Sequence, residues 1–349
     1  MINYLSFPGL GIGEIEIKPV AFNLFGKNIM WYGVIITCGI LLAFLYVRFR
    51  AVKFEGISAD DVLDYTIFTV LLSVLGARAY YVLTNLDRYR TFYDIIAIWN
   101  GGLAIYGAII TGTVTILVIS AIKRIKPTKM LDATALGVMI GQIIGRWGNF
   151  TNAEAFGCET DLPWRMGIRN AYHPETIYVH PTFLYESLWN LLGFLILNAL
   201  YRKKKFDGQV TLMYFIWYGF GRMFIEQLRT DSLYVGPFRI SQVVGFLSFF
   251  LGMILLIVFL FRAERKERAL EAAAEEAASG EDGPAEAETG EEGSEKAESS
   301  EAVSEEAASA EAASEKEEAA KAESAKAQPA KAKPKAGKSK SKKSKGKKG

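Results

Sequence analysis

Stretches of about 20 apolar residues recur through the first 262 residues of this chain and constrain its fold more than any other feature. At a rise of 1.5 Å per residue, a helix of that length crosses a hydrocarbon core of about 30 Å. The sequence therefore predicts an all-α, polytopic membrane protein with seven transmembrane helices. The predicted spans are residues 29–49, 62–85, 101–122, 130–149, 182–201, 208–228 and 240–262, of which the fourth and sixth contain the most polar residues.

The composition of the chain changes near residue 262. Residues 263–349 are almost wholly Ala, Glu, Ser, Lys and Gly and include no aromatic residue. Such a segment cannot bury enough apolar surface to offset the entropy of its chain, so we predict a disordered tail at 263–349 and a membrane domain at 1–262. The lysine-rich end of the tail either is simply solvated or contacts anionic lipid head groups.

Lysine and arginine residues are distributed unequally between the two sets of loops, which predicts the orientation of the chain. One set carries 15 of them and the opposite set carries 8. Because short loops rich in these residues stay in the cytoplasm, we expect the N-terminus outside and the C-terminal tail in the cytoplasm. An odd number of spans agrees with this orientation.

Polar side chains within the predicted helices or next to their ends share one depth under this orientation, in the outer half of the membrane. They are Tyr32, Arg78, Tyr81, Asn100, Arg146, Asn149, His180, Tyr185, Glu186, Tyr218, Arg222, Glu226 and Arg229. Charges are costly at membrane depth, and several gathered at one level indicate a polar cavity. In contrast, Asp64 and Asp132 fall at cytoplasmic helix starts, where a carboxylate is an ordinary cap.

Helical geometry supports a shared site. At 100° per residue, Tyr218, Arg222, Glu226 and Arg229 form a single stripe on the sixth predicted helix. On the fourth helix, glycines at every fourth position predict the close approach of a neighbouring helix, which would bring Arg146 inside the bundle. The alternative is structural ion pairing, such as Arg222 with Glu226, or side chains that extend to the membrane surface.

Six motifs of the chain resemble those of one family in the same order. The motif "GRWGNFTNAEAFG" at 145–157 resembles the signature of the prolipoprotein diacylglyceryl transferases. The others are "WYG" at 31–33, "GARAYYVL" at 76–83, "NGGLAIYG" at 100–107, "HPTFLYES" at 180–187 and "YGFGRMFIEQLRTD" at 218–231. The resemblance covers the membrane domain and none of the residues from 263 onward.

This resemblance implies an enzyme of the bacterial plasma (inner) membrane with seven helices and a site toward the outer leaflet. Such an enzyme transfers the diacylglyceryl group of phosphatidylglycerol to the lipobox cysteine thiol of a preprolipoprotein and releases glycerol phosphate, the first step of lipoprotein maturation. On this basis we expect catalytic roles for Arg222, Asn100, His180, Glu226 and Tyr32. We expect substrate binding by Arg146, Asn149, Asn152, Glu154, Gly157, Tyr81, Tyr218 and Arg229, with Arg146 and Arg222 on the phosphate.

One position departs from the family pattern. Many members have His-Gly-Gly-Leu where this chain has Asn100 followed by Gly-Gly-Leu. Asparagine cannot accept a proton at neutral pH, so Asn100 cannot be a general base and we expect it to position substrate. If a discrete base exists, the candidates are His180, Glu154 and Glu226.

The expected partners are phosphatidylglycerol, the signal peptide and lipobox cysteine of a preprolipoprotein, and membrane lipids, with no nucleic acid. No P-loop, dinucleotide fingerprint or clustered metal ligands occur in the sequence, so we expect no cofactor and no metal. Two other functions stay open. A transporter or channel would need a path to both faces, and a non-catalytic lipid-binding scaffold would keep the arginines without binding a thiol.

Overall fold

The computed structural model describes residues 2–279, apart from the side chains of Asn100 and of residues 276–279. Within that part of the chain, seven long helices follow one another in the predicted order, and one short helix lies between the second and the third. The helices are α1 (Trp31–Phe54), α2 (Ala59–Leu83), α3 (Phe92–Ile96), α4 (Ile105–Lys123), α5 (Pro127–Asn152), α6 (Thr182–Leu200), α7 (Gln209–Leu228) and α8 (Ile240–Ser279). Residues 280–349, most of the predicted tail, lie outside the described residues.

Five of the long helices within residues 2–279 are long and apolar enough to cross a membrane: α1, α2, α4, α6 and α8. The remaining two, α5 and α7, are the fourth and sixth predicted spans, and they carry polar side chains such as Gln142, Arg146 and Arg222. α5 packs against α1, α6 and α7, and α7 packs against α6 and α8. The apolar helices support an integral membrane protein, with the two more polar helices packed among them.

The close approach predicted along α5 is made by α1. A Cβ atom added to Gly137 would lie 2.3 Å from the side chain of Val47, and one added to Gly145 would lie 3.3 Å from Ile36. A Cβ on Gly141 would meet no described atom within 4 Å. Two of the three glycines therefore contribute to the approach of α1, which places the polar residues of α5 inside the bundle.

A four-stranded antiparallel sheet contradicts the prediction of an all-α chain. Its strands lie in the order β2-β1-β5-β6, and two separate hairpins pair β3 with β4 and β7 with β8. The strands are β1 (Asn3–Phe7), β2 (Ile12–Ile17), β3 (Val20–Leu24), β4 (Lys27–Met30), β5 (Met166–Arg169), β6 (Ile177–Val179), β7 (Tyr234–Val235) and β8 (Phe238–Arg239). Each strand has two to six residues. Runs this short show no clear alternation of apolar and polar residues, so the sequence did not predict them as strands.

The sheet is packed against the end of α5 and the start of α6. Leu5 of β1 and Ile168 of β5 are fully buried and belong to one apolar cluster with Ala153 and Phe183. In β1, buried and partly buried residues alternate, as expected of a strand with one face on a core. This packing fixes the segment between α5 and α6 over the end of the bundle.

The last helix is longer than predicted. α8 continues through residues 263–279, which the sequence analysis had assigned to the disordered tail. This segment is rich in Ala, Glu, Arg and Lys, which have high helix propensity, and it extends a helix that the apolar span has already nucleated. α8 thus extends 17 residues past the boundary predicted at residue 262, and the division of the chain into a membrane domain and a tail stays a prediction.

A buried ion cluster lies at the end of the bundle where α5 begins. Lys204 Nζ donates to both carboxylate oxygens of Glu55 at 2.8 Å and to Asp132 Oδ2 at 3.1 Å. The Tyr201 hydroxyl donates to Glu55 at 2.5 Å. We call Glu55, Asp132, Tyr201 and Lys204 the lysine cluster.

The two aspartates predicted to cap their own helices have other partners. Asp132 accepts hydrogen bonds at 2.9 Å from the backbone N–H groups of Gly208 and Thr211 and from the Thr211 hydroxyl, so it caps α7. Asp64 pairs with Lys123 of α4 at 2.7 Å. Both residues are structural, as predicted, but they act between helices.

Candidate active site

Three arginines converge on one carboxylate at the end of the bundle where α5 ends. Arg146 Nη2 of α5 lies 2.6 Å from Glu186 Oε2. Arg222 Nη1 of α7 donates to both oxygens of Glu186 at 3.1 Å, and Arg229 Nη1 donates to Oε1 at 3.3 Å. Glu186 is only 3% exposed. We call Arg146, Glu186, Arg222, Glu226 and Arg229 the arginine cluster.

Two further carboxylates hold the arginines on α7 and just after it. Glu226 follows Arg222 by one turn and pairs with its Nη2 atom. Asp231 accepts a bidentate pair from Arg229 at 2.9 and 2.7 Å. Burial raises the pKa of Asp231, but the hydrogen bonds and charge of Arg229 outweigh it and lower the pKa below its ordinary value.

One donor of Arg222 is left over. Its Nε atom is buried and has no hydrogen-bond partner among the residues the structure describes. Arg222 is 9% exposed, whereas the side chain of Arg146 is 22% exposed. A buried guanidinium donor without an acceptor is costly, so the cluster can accept a further anionic or polar group.

The polar residues at the end of α5 form a chain of hydrogen bonds that begins at Arg146. Arg146 Nη1 lies 3.4 Å from Asn149 Oδ1, and the Nδ2 groups of Asn149 and Asn152 donate to Glu154 Oε1 at 3.0 and 3.3 Å. The helix ends at Ala153 in the left-handed conformation, φ 50°, which turns Glu154 back toward the last helical turn. The polar residues of this motif therefore form one hydrogen-bonded group beside the arginine cluster.

Gly157 lies where the chain passes closely between two other segments. Its N–H donates to the carbonyl of His180 at 3.0 Å, and it forms an antiparallel bridge with Arg229. A Cβ atom at this position would lie 2.7 Å from Cβ of His180 and 3.1 Å from the carbonyl of Leu228. Glycine is therefore required for the packing that places Arg229 in the cluster.

His180 is held by two aromatic side chains. Trp164 Nε1 donates to the Tyr185 hydroxyl at 2.7 Å, and that hydroxyl lies 3.2 Å from His180 Nδ1. The Tyr185 hydroxyl accepts from the indole and can still donate to Nδ1 or accept from Nδ1–H, so it can hydrogen-bond either tautomer of neutral His180. Burial lowers the pKa of His180 below its ordinary value.

Two predicted tyrosines line the same region. Tyr218 precedes Arg222 by one turn and stacks on Tyr214, with ring centroids 5.8 Å apart. Tyr32 begins α1, and a Cβ on Gly148 would lie 2.8 Å from its ring, so Tyr32 packs on the last turns of α5. Both rings are thus close to the helical turns that carry the arginines.

Tyr81 is not brought into the arginine cluster by any contact within the described part of the chain. Tyr81 packs on Gly102, and its hydroxyl accepts from Arg88 at 3.3 Å. Asn100 ends a short helical turn (Ile98–Asn100), and its side chain lies outside the described residues. The segment after it is fixed, because buried Arg78 donates to the carbonyls of Gly101 and Gly102 at 2.6 and 2.9 Å.

Comparison with known proteins identifies the family. The sequence model described as prolipoprotein diacylglyceryl transferase matches residues 19–258. The phosphatidylglycerol–prolipoprotein diacylglyceryl transferase of Finegoldia magna is 47% identical over 242 residues, which are 69% of this chain and 95% of that protein. The chain belongs to the prolipoprotein diacylglyceryl transferase family.

Other members of the transferase family show similar coverage. The protein of the same name from Listeria innocua is 41% identical over 255 residues, 71% of this chain and 92% of its own length. That from Streptococcus pneumoniae is 44% identical over 246 residues, 69% and 94% of the two chains. The family resemblance of the six sequence motifs is confirmed.

Glu186 is the residue of this transferase-family site to which the sequence analysis gave no role. It was noted as a polar residue in the motif before α6, but the carboxylate contacts all three arginines. The sequence contained a signal for this role. Three arginines inside a bundle need more negative charge than Glu226 alone supplies, which indicates a second buried carboxylate nearby. Within residues 2–279, no three His, Cys, Asp or Glu side chains group as metal ligands.

Proposed function

We propose that this chain transfers the diacylglyceryl group of phosphatidylglycerol to the lipobox cysteine thiol of a preprolipoprotein. The names of its relatives, which describe phosphatidylglycerol–prolipoprotein diacylglyceryl transferases, support this proposal. The reaction forms a thioether, releases glycerol phosphate and is the first step of bacterial lipoprotein maturation. The observation that carries the proposal is the arginine cluster, with three guanidinium groups at one carboxylate and a buried Arg222 donor to spare.

The lipid phosphate is bound, in this proposal, by Arg146 and Arg222. An arginine fork matches two phosphate oxygens at once, and charge-assisted hydrogen bonds of this kind are strong. The same guanidinium groups contact Glu186, so the phosphate shares them with this carboxylate. As the carbon–oxygen bond breaks, negative charge grows on the leaving phosphate, and Arg222, already oriented by Glu226, stabilises it.

The incoming thiol must lose its proton as sulfur attacks the glyceryl carbon. A free thiol of pKa about 8.5 is only a small fraction thiolate at neutral pH, so cations nearby or a base are needed. Of the three candidates, Glu226 is buried and paired with Arg222, and Nδ1 of His180 lies within hydrogen-bond distance of the Tyr185 hydroxyl. Glu154 is exposed and retains free acceptor capacity beside Asn149 and Asn152, which favours it as the base.

The other predicted residues support these steps. Asn149, Asn152, Gly157, Tyr81, Tyr218 and Arg229 shape the lipid site, and Tyr32 and Asn100 position the reacting groups. Asn100→Ala is then expected to retain part of the activity and Asn100→His to remain active. The protein partner is the signal peptide with its lipobox cysteine.

We further propose that all seven long helices cross the bacterial plasma membrane, with the N-terminus outside and α8 ending in the cytoplasm. The unequal loop charges support this orientation, which places the arginine cluster in the outer half of the membrane. In a variant without Cys38 and Cys158, a cysteine at position 203 should react with a membrane-impermeant reagent only from the cytoplasm. One restored at position 158, which is exposed, should react only from outside. The opposite labelling pattern would contradict the proposed topology.

The transfer itself is tested with purified protein, phosphatidylglycerol and a lipobox peptide. We expect the peptide to gain the mass of one diacylglyceryl group on its cysteine, while a peptide with serine at that position gains nothing. Lipid binding without transfer would instead support the scaffold, and lipid-free passage of a solute would support the transporter.

A further inference from the structure

A second polar layer lies one helical turn beyond the arginine cluster, toward the middle of the bundle. α5 and α6 run antiparallel, since Arg146 near the end of α5 meets Glu186 near the start of α6, and the Ser187 hydroxyl donates to the carbonyl of Ile143 at 3.0 Å. One turn farther in, this register places Gln142 of α5 opposite Asn190 of α6.

The register between α6 and α7 brings Tyr218 to the same level. The indole N–H groups of Trp189 and Trp217 each donate to the other residue's carbonyl, at 3.1 and 3.0 Å, and the two rings stack 4.3 Å apart. With these residues opposite each other, Asn190 faces the turn of α7 that carries Tyr218. Three helices therefore contribute polar side chains to one level, directly beneath the three arginines.

The amides of this layer are not satisfied by the protein. Oδ1 of Asn190, a residue only 3% exposed, and Oε1 of Gln142 are buried and have no partner in residues 2–279. Nε2 of Gln142 donates to the Tyr214 hydroxyl at 2.9 Å, so one end of this amide is bound and the other is free. We call Gln142 and Asn190 the amide layer.

The chemistry of the missing partner follows from the two amides. The oxygen and nitrogen of an amide can exchange places by a flip, so the free end is an acceptor in one orientation and a donor in the other. A hydroxyl group both donates and accepts and satisfies either orientation. An ester carbonyl only accepts, and an ammonium group would lie beside three arginines, which disfavours it.

We propose that the amide layer binds the hydroxyl groups of the head-group glycerol of phosphatidylglycerol. This inference rests on the proposed function, in which Arg146 and Arg222 hold the phosphate. The head-group hydroxyls are a few bonds from phosphorus, a reach comparable to one helical turn of about 5.4 Å. The arginine cluster then selects an anionic phosphodiester, and the amide layer selects a glycerol attached to it.

The test compares phosphatidylglycerol with phosphatidylpropanol, which has the same phosphodiester charge and a three-carbon head group without hydroxyls. We expect wild-type kcat/KM to be at least tenfold lower for phosphatidylpropanol. Asn190→Leu and, separately, Gln142→Met should lower kcat/KM for phosphatidylglycerol about tenfold and leave it within twofold for phosphatidylpropanol. Thr134→Val is the matched control, because Thr134 lies on α5 two turns from Gln142 and its buried hydroxyl also has no described partner.

Each outcome bears on the inference. Equal transfer from both lipids by the wild type would overturn it, as would variants that lose both lipids equally while their thermal unfolding is unchanged, since the layer would then hold water only. If one variant does not fold, the other supplies the comparison. Competition between the two lipids for binding to the wild type measures the same preference without requiring transfer. A preference for phosphatidylglycerol in binding, without transfer, would contradict the proposed enzymatic function but support this inference.

Discussion

The two ends of the helix bundle each contain a buried ion cluster, and the two clusters differ in one respect. In the lysine cluster, one ammonium contacts the two buried carboxylates of Glu55 and Asp132 and, at 3.5 Å, the partly exposed carboxylate of Asp207. Asp132 also accepts three hydrogen bonds from the start of α7. In the arginine cluster, three guanidinium groups, each with five N–H donors, share a few carboxylates, and a donor of Arg222 stays unbound. All buried polar side-chain atoms of the lysine cluster have hydrogen-bond partners, whereas, within residues 2–279, the arginine cluster has an unused donor, Nε of Arg222.

Burial of charge therefore does not by itself identify a functional site. Glu55 and Asp132 are as buried as Glu186 and Glu226. What distinguishes the arginine cluster is its unused hydrogen-bonding capacity and the partial exposure of Arg146. A closed ion network connects helices, whereas one with unused donors can also bind a ligand.

The largest expected loss of transfer activity follows substitution of Arg146 or Arg222. Arg146→Lys and Arg222→Lys keep the charge but lose the planar fork, so we expect single-turnover transfer to a lipobox peptide to fall about 10²-fold or more. Arg169→Lys is the matched control, because Arg169 makes a bidentate pair with Glu14 in the sheet, and it should change transfer less than about twofold.

Arg146→Lys and Arg222→Lys should also impair different steps of the reaction. Arg146→Lys should mainly weaken phosphatidylglycerol binding, and Arg222→Lys should mainly slow turnover, since the second arginine is proposed to act as the ester bond breaks. Near wild-type transfer by both variants would show that the arginine cluster is a structural network like the lysine cluster.

The lysine cluster should show the opposite response. Lys204→Met leaves Glu55 and Asp132 buried without their cation, and breaking a buried pair in this way costs about 3–5 kcal/mol of the free energy of unfolding. We expect a marked fall in the thermal unfolding temperature, with transfer per folded molecule within about twofold of the wild type. The exposed Lys203→Met is the control. Loss of transfer at unchanged stability would erase the distinction between the two ends.

An intermediate effect is expected at Arg78, which lies outside both clusters. Its guanidinium donates to four carbonyls, those of Asp94, Ile95, Gly101 and Gly102. Lysine can replace only part of this set, so the segment that contains Asn100 should lose its fixed position. For Arg78→Lys we expect transfer to fall about tenfold, a loss of about 1.4 kcal/mol in transition-state stabilisation. The exposed Arg90→Lys should behave as wild type, and full activity of Arg78→Lys would show that the segment is not part of the site.

The sequence predicts most of the helices and identifies several polar residues that the structure brings into contact, for separate physical reasons. Helix periodicity alone placed Arg222 and Glu226 on one face of α7, and the structure pairs them. The contact of Glu186 with three arginines depends on how α5, α6 and α7 pack, which no local pattern encodes. The sheet was missed because its short strands pair residues far apart in sequence, such as Leu5 with Ile168.

The smallest expected effect concerns pH and tests the end of the bundle that contains the arginine cluster. Because burial lowers the pKa of His180 below its ordinary value of about 6.5, the unfolded chain binds a proton more readily than the folded chain. The stability contributed by neutral His180 is therefore complete above about pH 6.5 and declines as the pH falls through that value toward the folded pKa.

Thermal unfolding measured between pH 7.5 and 5.5 tests this expectation. The unfolding temperature should decline less for His180→Gln than for the wild type as the pH falls. His173→Gln, the change at the other histidine, is the matched control and should keep the wild-type decline. An identical decline in His180→Gln and the wild type would show that the Trp164–Tyr185–His180 chain does not hold the neutral imidazole at the site end of the bundle.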